Sequence, residues 1–313
     1  MVNDVPRGSW SFRLAKATTG SEADEQQRLA AAVLAFAQCL DIQIEPSIAY
    51  HELGPAQGNA VAYEELTRFR LADKAHPRTW IDLALGHCDS VSSLGDPVAV
   101  TDSRDLTRPL HRWRCNYIAT LKIGELELRS LTPFERALQL FEWMREDFIL
   151  AGPAAIFACH YFAPGFPRKR LLKGLRSEHR ERALVGAANA AWDITHLSEF
   201  VRHANSAHGS NTRYLFASLD EGLRRIARTL FAATIEDPAM NDLASVLAAW
   251  WPDDQARMIA DRLSDAFQRG RDPAWYERQR NSPNAIPEFI AQGEACLRAW
   301  SPAGASPADK PRP

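Results

Sequence analysis

Three carboxylates sit where this chain can do chemistry. Asp193 lies in the helical stretch NAAWDITHL, and Asp220 closes the apolar run YLFASLD ahead of EGLRRIA. Tyr214 to Ala217 reads as a short buried strand, after which Ser218 or Asp220 can cap a helix beginning near Glu221. In open α/β sheets ligands settle beyond the carboxyl ends of the strands, so Asp220 is expected to project into such a crevice with Asp193 presented beside it. Glu52 is the third acid, placed by a helical turn just past an expected strand at Ile42 to Glu45 that Pro46 stops. Carboxylate oxygens are hard ligands suited to Mg²⁺ or Mn²⁺. A metal held this way lowers the pKa of a water, aligns it for in-line attack on a phosphodiester and neutralises the departing oxygen.

Each acid also has a plain structural role open to it: Asp193 as an exposed helix residue, Asp220 as an N-cap, Glu52 in a surface turn. Asn189 and His196 stand at i−4 and i+3 from Asp193, which puts all three on one helix face as a polar shell around a metal. Trp192 is expected in the core rather than as a platform for a stacked base, and Trp250 with Trp251 reads as packing. The run RKRLLKGLRSEHRER, with Arg168, Lys169, Arg170, Lys173 and Arg176, supplies phosphate contacts if nucleic acid binds. Its Leu171, Leu172 and Leu175 otherwise predict an amphipathic helix with a solvated basic face.

Helices must do most of the positioning. Ala23 to Leu40 is periodic, with Leu29, Val33, Phe36 and Leu40 forming one apolar stripe. Tyr63 to Ala72 and Trp80 to Leu85 continue the helical pattern, and Asp89 to Arg108 reads as a long loop. Tyr117 to Arg129 fits either helix or hairpin. Thr132-Pro133-Phe134-Glu135 is a capping box with Pro at the first helical position, opening a helix to about Phe148. Ala154 to Phe162 is a buried helix too short to span a bilayer. Beyond Glu236-Asp237-Pro238 come amphipathic helices at Asn241 to Trp251, Asp253 to Gln268, Pro273 to Arg280 and Ile286 to Trp300.

Composition sets outer bounds. A chain of 313 residues with 46% apolar and 24% charged residues has the profile of a globular protein with a sizeable core. Its 37 Lys and Arg against 39 Asp and Glu give a formal net charge of −2, which argues neither for nor against nucleic acid. The five widely spaced cysteines form no C-x-x-C pair, which predicts reduced thiols in a cytoplasmic protein and no structural zinc. No run of about 18 apolar residues occurs, so no membrane span is expected.

The order of helix, strand, Glu52, then helix with Asp193, strand, Asp220 and helix resembles the PIN-domain nucleases, which are metal-dependent ribonucleases. The resemblance covers roughly Asp24 to Leu53 and Arg182 to Leu230. It implies an α/β fold, a small parallel sheet surrounded by many helices and predominantly helical overall. The PIN-like region would span 1–235 with a helical insertion at about 56–175, followed by a C-terminal helical extension at 236–300 and a disordered tail at 301–313. Glu52, Asp193 and Asp220 would hold Mg²⁺ or Mn²⁺, with Asp4 as a further ligand although only three residues precede it. RNA would be the substrate, and a small inhibitory partner protein is implied by the toxin and antitoxin modules in which such enzymes occur. Two other functions compete. Arg202 to His208 is similar to the R-x(4 to 6)-H motif of HEPN ribonucleases, which cleave RNA without a metal; the remaining alternative is a catalytically inactive helical protein-binding module.

Overall fold

The computed structural model describes residues 22–91, 94, 104–149, 151–167, 171–207, 209–218, 220–234, 243–269, 273–274, 277 and 285–301. Twelve helices are defined among them, and no strand or sheet. The expected α/β fold with a parallel sheet is therefore corrected to an all-helical one. Ile42 to Glu45 is a connector without a strand partner, entered through Asp41 in the left-handed region at φ 52° and closed by Pro46. Tyr214 to Ala217 is likewise not a strand, and Tyr214 and Leu215 are 39% and 64% exposed. An extended segment becomes a strand only when a second segment satisfies its backbone donors and acceptors, and among the described residues neither run forms such a ladder.

The chain divides into two compact units, residues 1–110 with 215–220, and residues 111–214 with 221–313. The first is built from α1 (Glu25–Cys39), α2 (Ser47–Gln57), α3 (Asn59–Lys74) and α4 (Pro77–Ala84). Asp24 and Gln27 form a reciprocal capping box at the start of α1. Of the expected stripe, Val33 is half-buried against the core but Leu29, Phe36 and Leu40 face outward at 43%, 55% and 58% exposure, and α1 buries Ala30, Ala31, Leu34, Ala35 and Ala37 instead. Small side chains allow the close approach of α1 to α4 around Trp80, whose indole N–H donates to the Ala72 carbonyl at 3.0 Å. A second cluster, Tyr50, Leu53, Ala62, Phe69 and Leu106, joins α2 and α3.

The second unit is built on α5 (His111–Leu128), which resolves the ambiguous stretch as helix. It packs against α6 (Pro133–Glu146), α7 (Gly152–Phe162), α8 (Glu181–Ser206) and α12 (Ala285–Ala299). Small residues on α8 face α5, and Thr120 Oγ1 donates to the Ala187 carbonyl at 3.0 Å across that contact. Every residue from Ala154 to Phe162 in α7 is buried, as its unbroken apolar run predicts. The unit is completed by α9 (Glu221–Thr234), α10 (Leu243–Ala248) and α11 (Asp253–Arg269). The interior side of α11 is Ala256, Ile259, Leu263 and Ala266, and Trp251 donates its indole N–H to the Cys159 carbonyl at 2.8 Å.

At the head of α6, Thr132 N–H donates to Glu135 Oε2 at 2.8 Å and Glu135 N–H donates to Thr132 Oγ1 at 3.2 Å, the reciprocal box read from sequence. Replacing Thr132 with Ala is expected to cost about 1 kcal/mol, read as a lower urea midpoint at unchanged slope. An unchanged midpoint would show that the box contributes nothing.

The basic run does not form the expected helix. Residues 171–180 are a series of turns in which Leu171, Leu172 and Leu175 are buried, and Gly174 at φ +69° breaks any helical path. Arg180 fixes these turns, donating to the carbonyls of Leu175, Ser177 and Leu297 at 2.8–2.9 Å and lying over the Trp300 ring at 4.7 Å. Arg168, Lys169 and Arg170 lie outside the described residues, as does Asp4. Among the described residues no helix is long and apolar enough to cross a membrane.

Candidate functional site

The three acids expected as metal ligands are placed as follows. Glu52 sits inside α2 at 4% exposure, not in a surface turn. Asp220 falls in the same compact unit, half-buried, with its backbone N–H donating to Ser218 Oγ at 3.1 Å. Asp193 belongs to the other unit, half-buried near the middle of α8. Among the described residues no group of three or more His, Cys, Asp and Glu side chains is placed to hold a metal ion.

Of the two polar residues expected beside Asp193, Asn189 is exposed and His196 is fully buried. Burial pushes the His196 imidazole down to about 3, so it is neutral in the fold. Trp192 is core, as expected, with its ring 5.4 Å from that of Trp113.

A second buried histidine, His160 on α7, shares a hydrogen bond of 2.8 Å with Thr229 Oγ1 on α9. Burial, and after it the charge of Arg225, lowers it from 6.5 to about 4. A depressed histidine must take up a proton on unfolding, so the stability it confers is complete above pH 6.5 and drains as pH falls towards 4. The loss for His160 is about 3 kcal/mol across that window. Urea titrations at stepped pH should give a shallower acid slope for His160→Asn than for the wild type; identical slopes would discount the buried imidazole.

Side chains do converge at the C-terminal end of α8, a place the acids had not marked. Glu199, 12% exposed, is paired with Arg112 from α5 and with Arg202, whose Nε and Nη2 lie 2.8 and 2.6 Å from its Oε2. His203 Nε2 is 3.0 Å from Arg202 Nη2 and 3.8 Å from Glu199 Oε2. The His203 ring stacks on Tyr214 at 5.2 Å between centroids. Burial first, and then the like charge of Arg202, lowers the Arg112 guanidinium. Beneath the cluster, Asn116 Nδ2 donates to Thr195 Oγ1 at 3.0 Å, and Thr195 and Ser198 return their hydroxyls to the α8 carbonyls of Ala191 and Ile194.

The geometry follows from helical spacing. Glu199, Arg202 and His203 stand at i, i+3 and i+4, one face of the last two turns, and the close packing of α5 on α8 brings Arg112 to the same carboxylate. That i, i+3, i+4 triplet is legible in the sequence; the arrival of Arg112 from another helix is not. Two guanidinium groups against one carboxylate leave a net positive site with an imidazole beside it. Such a site can bind a phosphodiester, and an imidazole at its edge can move a proton. Of the R-x(4 to 6)-H pair, Arg202 is in the cluster and His208 lies outside the described residues.

The cysteines add no reactive group to this cluster. All five are unpaired, and burial pushes Cys115 up to about 11 even with His111 Nδ1 3.8 Å from its sulfur. The fold and the cluster define an all-helical protein with a basic, histidine-bearing site at the end of its longest helix. Comparison with protein families, with curated proteins and with solved structures gives no match.

Proposed function

We propose that the chain binds RNA at the C-terminal end of α8 and cleaves it without requiring a metal ion, in the manner of the R-x(4 to 6)-H ribonucleases that Arg202 to His208 resembles. The observation that carries this reading is the convergence of Arg112, Arg202 and His203 on Glu199. Arginine forks match the geometry of a phosphodiester, and Glu199 holds two of them side by side against their mutual repulsion. In such a site the 2′-hydroxyl attacks the neighbouring phosphorus while a histidine accepts its proton. The P–O5′ bond breaks, the departing oxygen takes a proton, and the products are a 2′,3′-cyclic phosphate and a 5′-hydroxyl. Arg112 and Arg202 neutralise the charge that builds on the phosphoryl oxygens.

The alternative of a metal-dependent ribonuclease using Glu52, Asp193, Asp220 and Mg²⁺ or Mn²⁺ is separated by one assay. Labelled RNA is incubated with the full chain in excess EDTA and, separately, in Mn²⁺. EDTA-resistant cleavage giving cyclic phosphate ends supports the metal-free reading. Cleavage that appears only with Mn²⁺ and is lost in Asp193→Asn overturns it in favour of the metal site. No cleavage in either arm overturns both and leaves the helical protein-binding reading, for which the outward stripe of Leu29, Phe36 and Leu40 is the surface to test.

A further inference from the structure

Within the second unit, the chain leaves α8 through a loop that folds back on the end of the helix. Gly209 turns it at φ +78°, Ser210 Oγ donates to the Ala207 carbonyl at 2.8 Å, and the Thr212 N–H donates to Ser210 Oγ at 3.1 Å. Arg213 closes the loop through Nη1, which donates to the carbonyls of Ser210 and Thr212 at 2.7 and 2.9 Å. These bonds carry Tyr214 back to the last turns of α8, where its ring stacks on His203 with 5.2 Å between centroids and 27° between planes.

Tyr117, Tyr161 and Trp192 of the same unit are buried, whereas Tyr214 is 39% exposed. One face of its ring is taken by the imidazole, and ring surface is left for a second planar partner. The surroundings select that partner. His203 Nε2 is 3.0 Å from Arg202 Nη2, and Arg202 and Arg112 share the Glu199 carboxylate, so the ring borders the cationic cluster. A flat π-system joined to an anion satisfies both the ring and the arginines. A nucleotide of a single strand is that combination, with its phosphate on the guanidinium forks and its base on the ring. In a duplex the base faces are already covered by their neighbours, and an apolar protein surface would have to bury the arginine charges unmatched.

We infer that Tyr214 is the stacking platform of the α8 site and restricts it to single-stranded RNA, one base packing on the ring beside the phosphate held by Arg112 and Arg202. The inference rests on the RNA reading of this site and adds the contact that selects the form of the strand.

The test titrates the full chain, in EDTA, into a labelled RNA strand carrying 2′-O-methyl groups, which cannot be cleaved because the attacking hydroxyl is blocked. Fluorescence anisotropy reports binding. The strand should bind at least about tenfold more tightly than the same strand annealed to its complement. Tyr214→Ala should weaken binding of the strand about tenfold, and Tyr214→Phe should keep it, since the ring rather than the hydroxyl makes the stack. An abasic residue moved along the strand locates the stacked base. At that position it should cost the wild type about tenfold and Tyr214→Ala nothing further, a coupling that a merely structural role of the tyrosine would not produce. Equal losses in the two proteins would overturn the inference, as would equal affinity for strand and duplex. Binding that needs Arg202 but is unchanged in Tyr214→Ala overturns the stacking inference and leaves the RNA reading standing; a wild type that binds neither strand nor duplex overturns both.

Discussion

Gly186→Ala should be among the most destabilising single substitutions in the second unit. Gly186 lies one turn into α8, where the turn carrying Lys173 crosses it so closely that a Cβ would fall inside the Lys173 carbonyl group. The obstacle is backbone rather than the end of a flexible side chain, and the turn cannot simply retreat. Leu172 and Leu175 are buried on either side of Lys173, and Arg180 ties the segment to the carbonyls of Leu175, Ser177 and Leu297. Forcing a methyl group into such a contact costs about 3 kcal/mol. The alanine gains helix propensity of about 1 kcal/mol in return, which does not offset it. The melting temperature is expected to fall by roughly 4–8 °C, and the control Val185→Ala, at a position 60% exposed, should stay close to wild type. A Gly186→Ala protein that melts with the wild type would mean that the turn is not held where the packing places it. Gly54, whose Cβ would strike the Leu106 carbonyl, makes the same prediction for the first unit.

Arg202→Ala should remove EDTA-resistant RNA cleavage, lowering the rate by about 10²- to 10³-fold, the usual cost of one group that stabilises transition-state charge. Arg202 is 51% exposed, so its loss should leave the melting temperature nearly unchanged. Arg202→Lys is expected to recover only a minor part of the rate, because a point charge replaces a fork. Glu199→Gln separates positioning from binding. With the carboxylate gone, Arg112 and Arg202 repel, so the maximal rate should fall more than the affinity for RNA does. Wild-type cleavage by Arg202→Ala in EDTA would eliminate the cluster as the reacting centre. Cleavage lost only together with the folded signal would show a structural role instead.

Much of the helical framework is legible in the amino-acid sequence. The Thr132 to Glu135 box opens α6 where it should, the apolar run from Ala154 forms a fully buried α7, and the α11 and α12 boundaries fall within a residue or two of their periodic patterns. These are local effects: a cap, a proline at the first turn and a 3.6-residue period act within a few neighbours. Errors arise where a partner decides. Ile42 to Glu45 and Tyr214 to Ala217 have strand-like composition, but a strand is a relation between two segments, and among the described residues neither run is part of a ladder. On α1 the larger residues Leu29, Phe36 and Leu40 suggest the buried side, yet the alanine side packs, because α4 brings Trp80 close enough to require small residues opposite it.

The candidate site divides along the same line. By itself the sequence determines that Glu199, Arg202 and His203 share one face of a helix, since spacing on a helix is geometry. Which acids meet, which histidine is buried to neutrality and which second arginine reaches Glu199 depend on how α5 and α7 pack against their neighbours. Desolvation and long-range charge pairing exist only after that packing, so only the tertiary structure moves attention from Glu52, Asp193 and Asp220 to the end of α8.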